Sequence, residues 1–255
     1  MDVRSLSSEF QALAADQKFV CHEYGNVNGH PLRAFTRQIP DKPRIYFSSG
    51  IHGDEPAGVL ALLQLLRDGF FDSRASWFIC PLLNPTGLER GTRENADGID
   101  LNREYRHPKT AEIRSHRAWI ESQPPQHAAL SLHEDWETTG FYLYEINTST
   151  RPCIGPAVLE AVKHGMEIET KNILDGHPVS APGYIYHPPE SDERETWPEA
   201  IFHVKHCAVL SCTFETPSSQ PLEQRVDAHI TAVKAGVEEF IKNFVPREGL
   251  EPSTN

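Results

Sequence analysis

His52 and Glu55 place an imidazole and a carboxylate three positions apart within Ser48-Ser49-Gly50-Ile51-His52-Gly53-Asp54-Glu55-Pro56. The run Ile45-Tyr46-Phe47 leads in and an apolar run from Val59 to Leu66 leads out, so the pair occupies a tight turn between a strand and a helix. Two such groups converging from one turn suit a borderline cation such as Zn²⁺. Pro56 fits the first helical turn, where its missing N–H is no loss.

The spacing alone is weak, because His-x-x-Glu occurs three times: His52/Glu55, His164/Glu167 and His187/Glu190. The second falls in a helical pattern, where both residues can share a solvated face, and the third straddles Pro188-Pro189. Only the first lies beyond the carboxyl end of a strand, where open α/β sheets bind ligands. His133 closes the run Ala128-Ala129-Leu130-Ser131-Leu132 and precedes Glu134-Asp135. A lone histidine there is more often a surface or hydrogen-bonded residue, but beside the His52/Glu55 pair it is the obvious third ligand. Two histidines and one carboxylate leave a fourth tetrahedral position for water, as catalytic zinc sites do.

Glu215 ends the apolar run before Thr216-Pro217. By itself it reads as the first residue of a turn; next to a zinc site it is the carboxylate that takes a proton from water and passes it to a leaving amine. Residues 84–107 form a polar, Gly-rich stretch holding Asn84-Pro85-Thr86-Gly87, Arg90, Arg93, Asn95 and Gly98-Ile99-Asp100-Leu101-Asn102-Arg103. Loops this long inside a compact domain are usually functional. The arginines and asparagines read either as a solvated basic patch or as guanidinium forks and amide donors for an anionic substrate end and an oxyanion.

These residues need a scaffold, and the periodicity supplies one. It predicts a helix over 5–15, two strands within 18–37 about the turn Asn26-Val27-Asn28-Gly29, a strand over 43–48 and a helix over 56–68 ending near Gly69. Further strands are expected over 77–83, 128–133 and 141–146, helices over 109–122 and 156–168, and a proline-rich excursion over 176–200. A strand region over 202–214 and a long helix over 221–244 complete the pattern. Alternating strands and helices make the class α/β, a mixed, mostly parallel sheet covered by helices. No linker or repeat divides it, so one domain spans 1–255, with 246–255 a frayed tail.

The 255 residues, 38% apolar and 24% charged, can bury a sizeable core. A formal charge of −12 argues against nucleic acid or an anionic membrane as partner and leaves room for a cationic substrate. Five unpatterned cysteines fit buried thiols in a reducing compartment. The first residues lack the apolar core of a signal peptide and no run is long enough to span a bilayer, so the expected location is cytoplasmic, and the acceptor-like Asn147-Thr148-Ser149 is discounted.

In order, His-x-x-Glu, Asn-Pro-x-Gly, Arg-x-Asn, Gly-x-Asp-x-Asn-Arg, a downstream His and a late Glu resemble the zinc carboxypeptidases of the carboxypeptidase A type over about residues 43–217. His-Gly-Asp-Glu and Gly-Ile-Asp-Leu-Asn-Arg look like the compact bacterial members bordering the succinylglutamate desuccinylase/aspartoacylase branch. The resemblance implies an eight-stranded mixed sheet between helices and one zinc on His52, Glu55 and His133. It implies Arg93 polarising the scissile carbonyl, Asn102 and Arg103 gripping a terminal carboxylate, and Glu215 as general base. The family's mobile tyrosine falls in the excursion, where Tyr184 and Tyr186 both qualify and Tyr186 is preferred.

Asp54 departs from the arginine of digestive members. Glu190, Asp192, Glu193 and Glu195 read as a solvated acidic loop or as a negative pocket for Lys or Arg side chains. His203 and His206 are spare ligands should a second metal bind. The implied activity is zinc-dependent release of C-terminal residues from peptides by a promoted-water mechanism, with basic residues favoured in the sharper reading. The alternative is an N-acyl amino acid amidohydrolase of the desuccinylase/aspartoacylase kind. A catalytically silent metal- or peptide-binding domain ranks last, because ligands, base and carboxylate grip are all present.

Overall fold

The computed structural model describes residues 1–188 and 194–244; the expected frayed tail and Glu190, Asp192 and Glu193 fall outside those residues. Helix α1 (Val3–Asp16) starts at Asp2, whose carboxylate accepts the Ser5 N–H at 3.0 Å and satisfies one orphan donor of the first turn. Strands β1 (Val20–Val27) and β2 (His30–Arg37) pair about Asn28 and Gly29, both at positive φ (51° and 80°), as a type I′ hairpin requires. Then come β3 (Arg44–Ser49), α2 (Pro56–Arg67), β4 (Ser76–Cys80), α3 (Pro85–Arg90), a 3₁₀ turn (Leu101–Arg103) and α4 (Ala111–Glu121). Next in the chain are β5 (Ala128–Asp135), β6 (Tyr142–Asn147), α5 (Gly155–Val162), the small hairpin β7 (Ile173–Leu174) and β8 (His177–Pro178), and β9 (Tyr184–Tyr186). Helix α6 (Glu199–His206), β10 (Leu210–Pro217) and α7 (Leu222–Lys242) end the fold.

The main sheet has eight strands in the order β1-β2-β4-β3-β5-β10-β6-β9. The central run β4-β3-β5-β10 is parallel, as is β6-β9, while the other neighbours are antiparallel. The mixed, mostly parallel α/β sheet expected from the residue pattern is therefore present.

Alternation along the strands makes two cores. Ile45 and Phe47 of β3, Leu130 and Leu132 of β5, and Cys212 and Phe214 of β10 pack on one face beneath α1, α2, α5 and α7. Tyr46 and Ala129 point the other way, into a smaller core shared with α4 and α6. Ser48, Ser131, Thr213 and Glu215 share that second face by the same alternation, and there the aliphatic lining gives way to polar groups.

Five expectations need correction. Residues 202–206 are helix, not strand: Pro198 opens α6 and Ile201, Phe202 and His203 are buried along it before β10 begins at Leu210. The helix expected over 156–168 stops at Val162, and the strand expected over 77–83 stops at Cys80. The stretch 84–107 is not one loop, because Asn84 caps the short helix α3. The excursion likewise contributes β9 to the sheet.

Candidate metal centre and cleft

His52 and Glu55 lie in the turn between β3 and α2, and the turn's shape follows from glycine. A Cβ on Gly53 would sit 1.9 Å from the Gly87 carbonyl carbon, so the His52–Glu55 turn is packed backbone against backbone on the Asn84–Gly87 turn. Buried Asn84 ties the two together: its Oδ1 accepts the Gly87 N–H at 2.9 Å and its Nδ2 donates to the carbonyls of Ile51 (3.2 Å) and Arg93 (3.3 Å). The Asn-Pro-x-Gly motif thus braces the site and does not line its cavity. Asn95 is another brace, its Oδ1 accepting the N–H groups of Asp97 and Ile99.

Glu55 occupies the N-cap position of α2 but makes no side-chain cap bond. Glu134 takes that role by accepting the Ala57 N–H at 2.6 Å, and Arg225 from α7 pairs with it. Glu55 is left free to turn toward the imidazoles. His52 Nδ1 donates to Glu55 Oε1 at 2.6 Å and His133 Nδ1 to Glu55 Oε2 at 2.9 Å. All three residues are buried, and their ligand atoms lie within 4.8 Å of one another, the one such group among the described residues.

The donor set is nitrogen, nitrogen and oxygen, which suits zinc. The far nitrogen of His52, Nε2, donates to Asp100 Oδ1 at 3.2 Å, the outer carboxylate that commonly orients a ligating histidine. The three groups attract one another by charge. Burial disfavours a charged His52, yet Glu55 and Asp100 outweigh it and carry its pKa to about 9. Glu55, also penalised by burial, is held well below the carboxylate range by His52 and His133.

Arg93 reaches in from the loop, its Nη1 3.4 Å from Glu55 Oε1 and its Nε 3.2 Å from Asp100 Oδ2. Glu215 lies on β10 beside His133 in the parallel register and beside Tyr142 in the antiparallel one. Burial pushes its carboxyl well above the usual range, with Glu55 and Asp135 adding to the effect against His133 and Arg93. A dication in front of it would act in the opposite direction.

These groups line a cavity of about 560 Å³ that also takes in Asn102, Arg103, Glu199, Tyr142 and Tyr144. Asn102 Oδ1 accepts the Glu199 N–H at 2.8 Å, which leaves its Nδ2 amide to donate. Arg103 is exposed, with Nη1 on its neighbour's carbonyl at 3.0 Å. Glu199, which no sequence motif marks, also lines this cavity. This fully buried carboxylate accepts the hydroxyls of Tyr46 (2.7 Å), Ser48 (2.7 Å) and Ser131 (3.2 Å). Burial works against its ionisation, but His203, His116 and Tyr46 overcome that and bring its pKa to about 2. Glu199 falls at the end of the excursion expected over 176–200, where the structure begins α6.

Tyr184 and Tyr186 are not brought to the cleft. The register pairs Leu143 with Tyr184 and Glu145 with Tyr186, so both tyrosines share the opposite face from Tyr142 and Tyr144. Tyr184 O–H donates to buried Glu145 at 3.0 Å, and Tyr186 O–H reaches the Asn147 carbonyl at 3.4 Å. Asp54 is exposed and does not line the cavity. His203 lies behind the cleft beside Glu199, and His206 stacks near Trp197 and Phe202, so neither joins a second ligand cluster among the described residues. His164 is exposed and its nearest acid is Glu160 at 3.9 Å rather than Glu167.

Residues 41–143 match the succinylglutamate desuccinylase/aspartoacylase catalytic domain. Murein peptide amidase A of Vibrio campbellii is 36% identical over 83 residues, 32% of this chain and 33% of that protein, so the aligned stretch spans about a third of the length of this curated relative. A candidate metallopeptidase of Shewanella amazonensis superposes with a TM-score of 0.80 at 27% identity, covering 93% of this chain and 92% of the other. A metallo-carboxypeptidase of Burkholderia cenocepacia shares the fold, with a TM-score of 0.65 at 19% identity over 92% of this chain and 68% of that one. No helix among the described residues is long and apolar enough to cross a membrane.

Proposed function

We propose that this chain is a zinc-dependent carboxypeptidase of the zinc carboxypeptidase-like branch bordering the desuccinylase/aspartoacylase domain, acting on the last amide bond of a peptide. The observation that carries the reading is the shared cleft: a His52/Glu55/His133 ligand set, a carboxylate on the neighbouring strand, and an amide and a guanidinium on its wall.

His52, Glu55 and His133 would hold a zinc ion, which would supply Lewis-acid polarisation of the scissile carbonyl and a more acidic water. Asp100 fixes the ring of His52, and Glu55 and Asp100 aim Arg93 at the oxygen that gains charge. Asn102 Nδ2 and Arg103 hold the terminal carboxylate, which sets the scissile bond in front of Glu215. Glu215 accepts the proton of the attacking water at its carboxylate and returns it to the leaving nitrogen.

The finer reading is a preference for basic terminal residues. Glu199 supports it, since its backbone N–H is bonded to Asn102 and its buried carboxylate lines the same cavity. A side chain projecting from a carboxylate held at Asn102 would meet that negative charge.

A second reading, hydrolysis of an acylated amino acid or a short amidated peptide, is favoured by the desuccinylase/aspartoacylase match and the murein peptide amidase relative. A panel of peptides with varied C-terminal residues, run beside acyl amino acids on the zinc-loaded protein, separates the two. C-terminal amino acid release from peptides supports the first reading, and release from acyl amino acids alone replaces it with the second. Glu215→Gln should lower either rate by about 10²–10⁴-fold; an unchanged rate would remove Glu215 from the mechanism.

A further inference from the structure

We propose that Trp136, flanked by Asp135 and Glu137, forms a subsite for a cationic group on the acyl side of the scissile bond. The inference rests on the carboxypeptidase reading above and adds a second place where substrate is selected.

Strand β5 gives the direction. Ser131, His133 and Asp135 alternate onto the cleft face, and all three line the cavity. Ser131 donates to Glu199 at one end, His133 belongs to the ligand set, and Asp135 closes the strand. At about 3.3 Å of rise per residue, Asp135 lies roughly 13 Å beyond Ser131. A substrate whose terminal carboxylate sits by Asn102, next to Glu199, must therefore run its acyl portion past His133 toward Asp135 and Trp136.

Trp136 is 74% exposed, more than any other large apolar side chain among the described residues. Its loop is nonetheless tied down. Asp135 Oδ1 accepts the Glu137 N–H at 2.7 Å and Oδ2 accepts the Tyr142 O–H at 2.9 Å. Lys171 Nζ donates to the Glu137 carbonyl at 2.7 Å, and Glu169 accepts the Thr139 N–H at 3.1 Å. An indole presented on a fixed turn loses little conformational freedom on binding.

The charge around it selects the ligand. Asp135 and Glu137, its chain neighbours, line the cavity with Trp136, and Glu169 braces the turn, while the Lys171 ammonium beside them donates to a carbonyl. An aromatic side chain that shares a cavity wall with two carboxylate residues favours an ammonium or guanidinium, through the ring quadrupole and through direct attraction. A neutral acyl group could stack on Trp136 but would gain nothing from Glu137.

Two N-acetylated tripeptides identical except for lysine or norleucine on the acyl side of the scissile bond test this. The wild-type protein should prefer lysine by about 3–30-fold in kcat/KM, mostly through KM. Trp136→Ala should cut the lysine peptide's kcat/KM about tenfold, and Glu137→Gln should bring the ratio toward one, as should about 0.5 M salt. Both side chains are exposed, so the variants keep the wild-type melting temperature. A wild-type ratio near one, or a ratio that neither variant moves, overturns the subsite while leaving the peptidase reading intact. If neither peptide is cut, the peptidase reading falls and takes the subsite with it.

Discussion

The two walls of the cleft are built on different principles. The wall from the β3–α2 turn through Asp100 to His133 is braced backbone to backbone, with Gly53 against Gly87 and Asn84 bonded to three main-chain groups. Its chemistry-bearing groups, His52, Glu55 and Asp100, each hold one another through charge. The opposite wall, from Tyr142 through α6, is made of side chains: tyrosines on a strand near the sheet's edge, the hairpin carrying Asp175 and His177, and Glu199 at the start of a two-turn helix. A ligand set must be held to a fraction of an ångström, whereas a substrate wall can vary one side chain at a time. On the proposed reading, the first wall would carry the metal chemistry and the second the choice of the terminal side chain.

If that division holds, damage to the first wall should abolish turnover and damage to the second should redistribute it. The largest effect is expected from His133→Ala, which should remove both zinc uptake and detectable activity, measured by elemental analysis and turnover on the same sample. Zinc in hundredfold excess over its dissociation constant should stabilise the wild type by about 2.7 kcal/mol, raising the melting temperature by roughly 5–10 °C. The variant should show no such rise, and a rise of equal size would put the metal elsewhere.

Gly53→Ala comes next. Its Cβ would meet main-chain atoms that cannot swing aside, so the turn must open and carry His52 away from Glu55. About 1–3 kcal/mol of stability should go with it, and zinc affinity should fall with stability. A variant that keeps full zinc content and melting temperature would show that the close approach of the two turns is not what holds the ligands.

How much of this was legible beforehand follows the same division. The first wall was readable because its motifs are local: His52 and Glu55 share a turn, and Asp100, Asn102 and Arg103 share another. The sheet was readable from strand–helix alternation, and the hairpin turn from Asn28-Gly29. The second wall depends on register and on one helix boundary. Whether Tyr142 or Tyr184 faces the cleft is decided by pairing on β6 and β9, and one residue of shift exchanges the answer. Glu199 is hidden because it falls in the proline-rich stretch expected as an excursion, with a strand expected only from Phe202, whereas Pro198 at the N-cap starts a helix there. Asp100 was quoted within a motif but given no role, since only the folded loop brings it to His52.

On the second wall, Glu199→Gln should leave zinc content and Glu215 in place and act on preference. Replacing the carboxylate by an amide removes the charge and keeps an acceptor oxygen on one side only, for Tyr46 on Oε1 or for Ser48 on Oε2, while the other hydroxyl turns to accept from the new NH₂. The ratio of kcat/KM for a C-terminal lysine over a C-terminal norleucine should fall by about tenfold, the scale of a charge-assisted hydrogen bond. An unchanged ratio would move the specificity pocket away from α6.

The smallest effect is expected at Tyr184, and it tests the assignment of faces. Its hydroxyl donates to Glu145, which also accepts the N–H groups of Ile154 and Gly155 (2.9 Å each) and so caps α5. Tyr184→Phe removes one of three donors from a buried carboxylate and should cost about 0.5–1.5 kcal/mol of stability with kcat/KM unchanged. Tyr142→Phe is the matched control, because Tyr142 lies on the cleft face, level with Glu215, and its hydroxyl holds Asp135. It should alter KM for peptide substrates several-fold. Should Tyr184→Phe lower kcat while Tyr142→Phe does nothing, the strand faces would be reversed in the working enzyme, with β9 turning its tyrosines into the cleft when substrate binds.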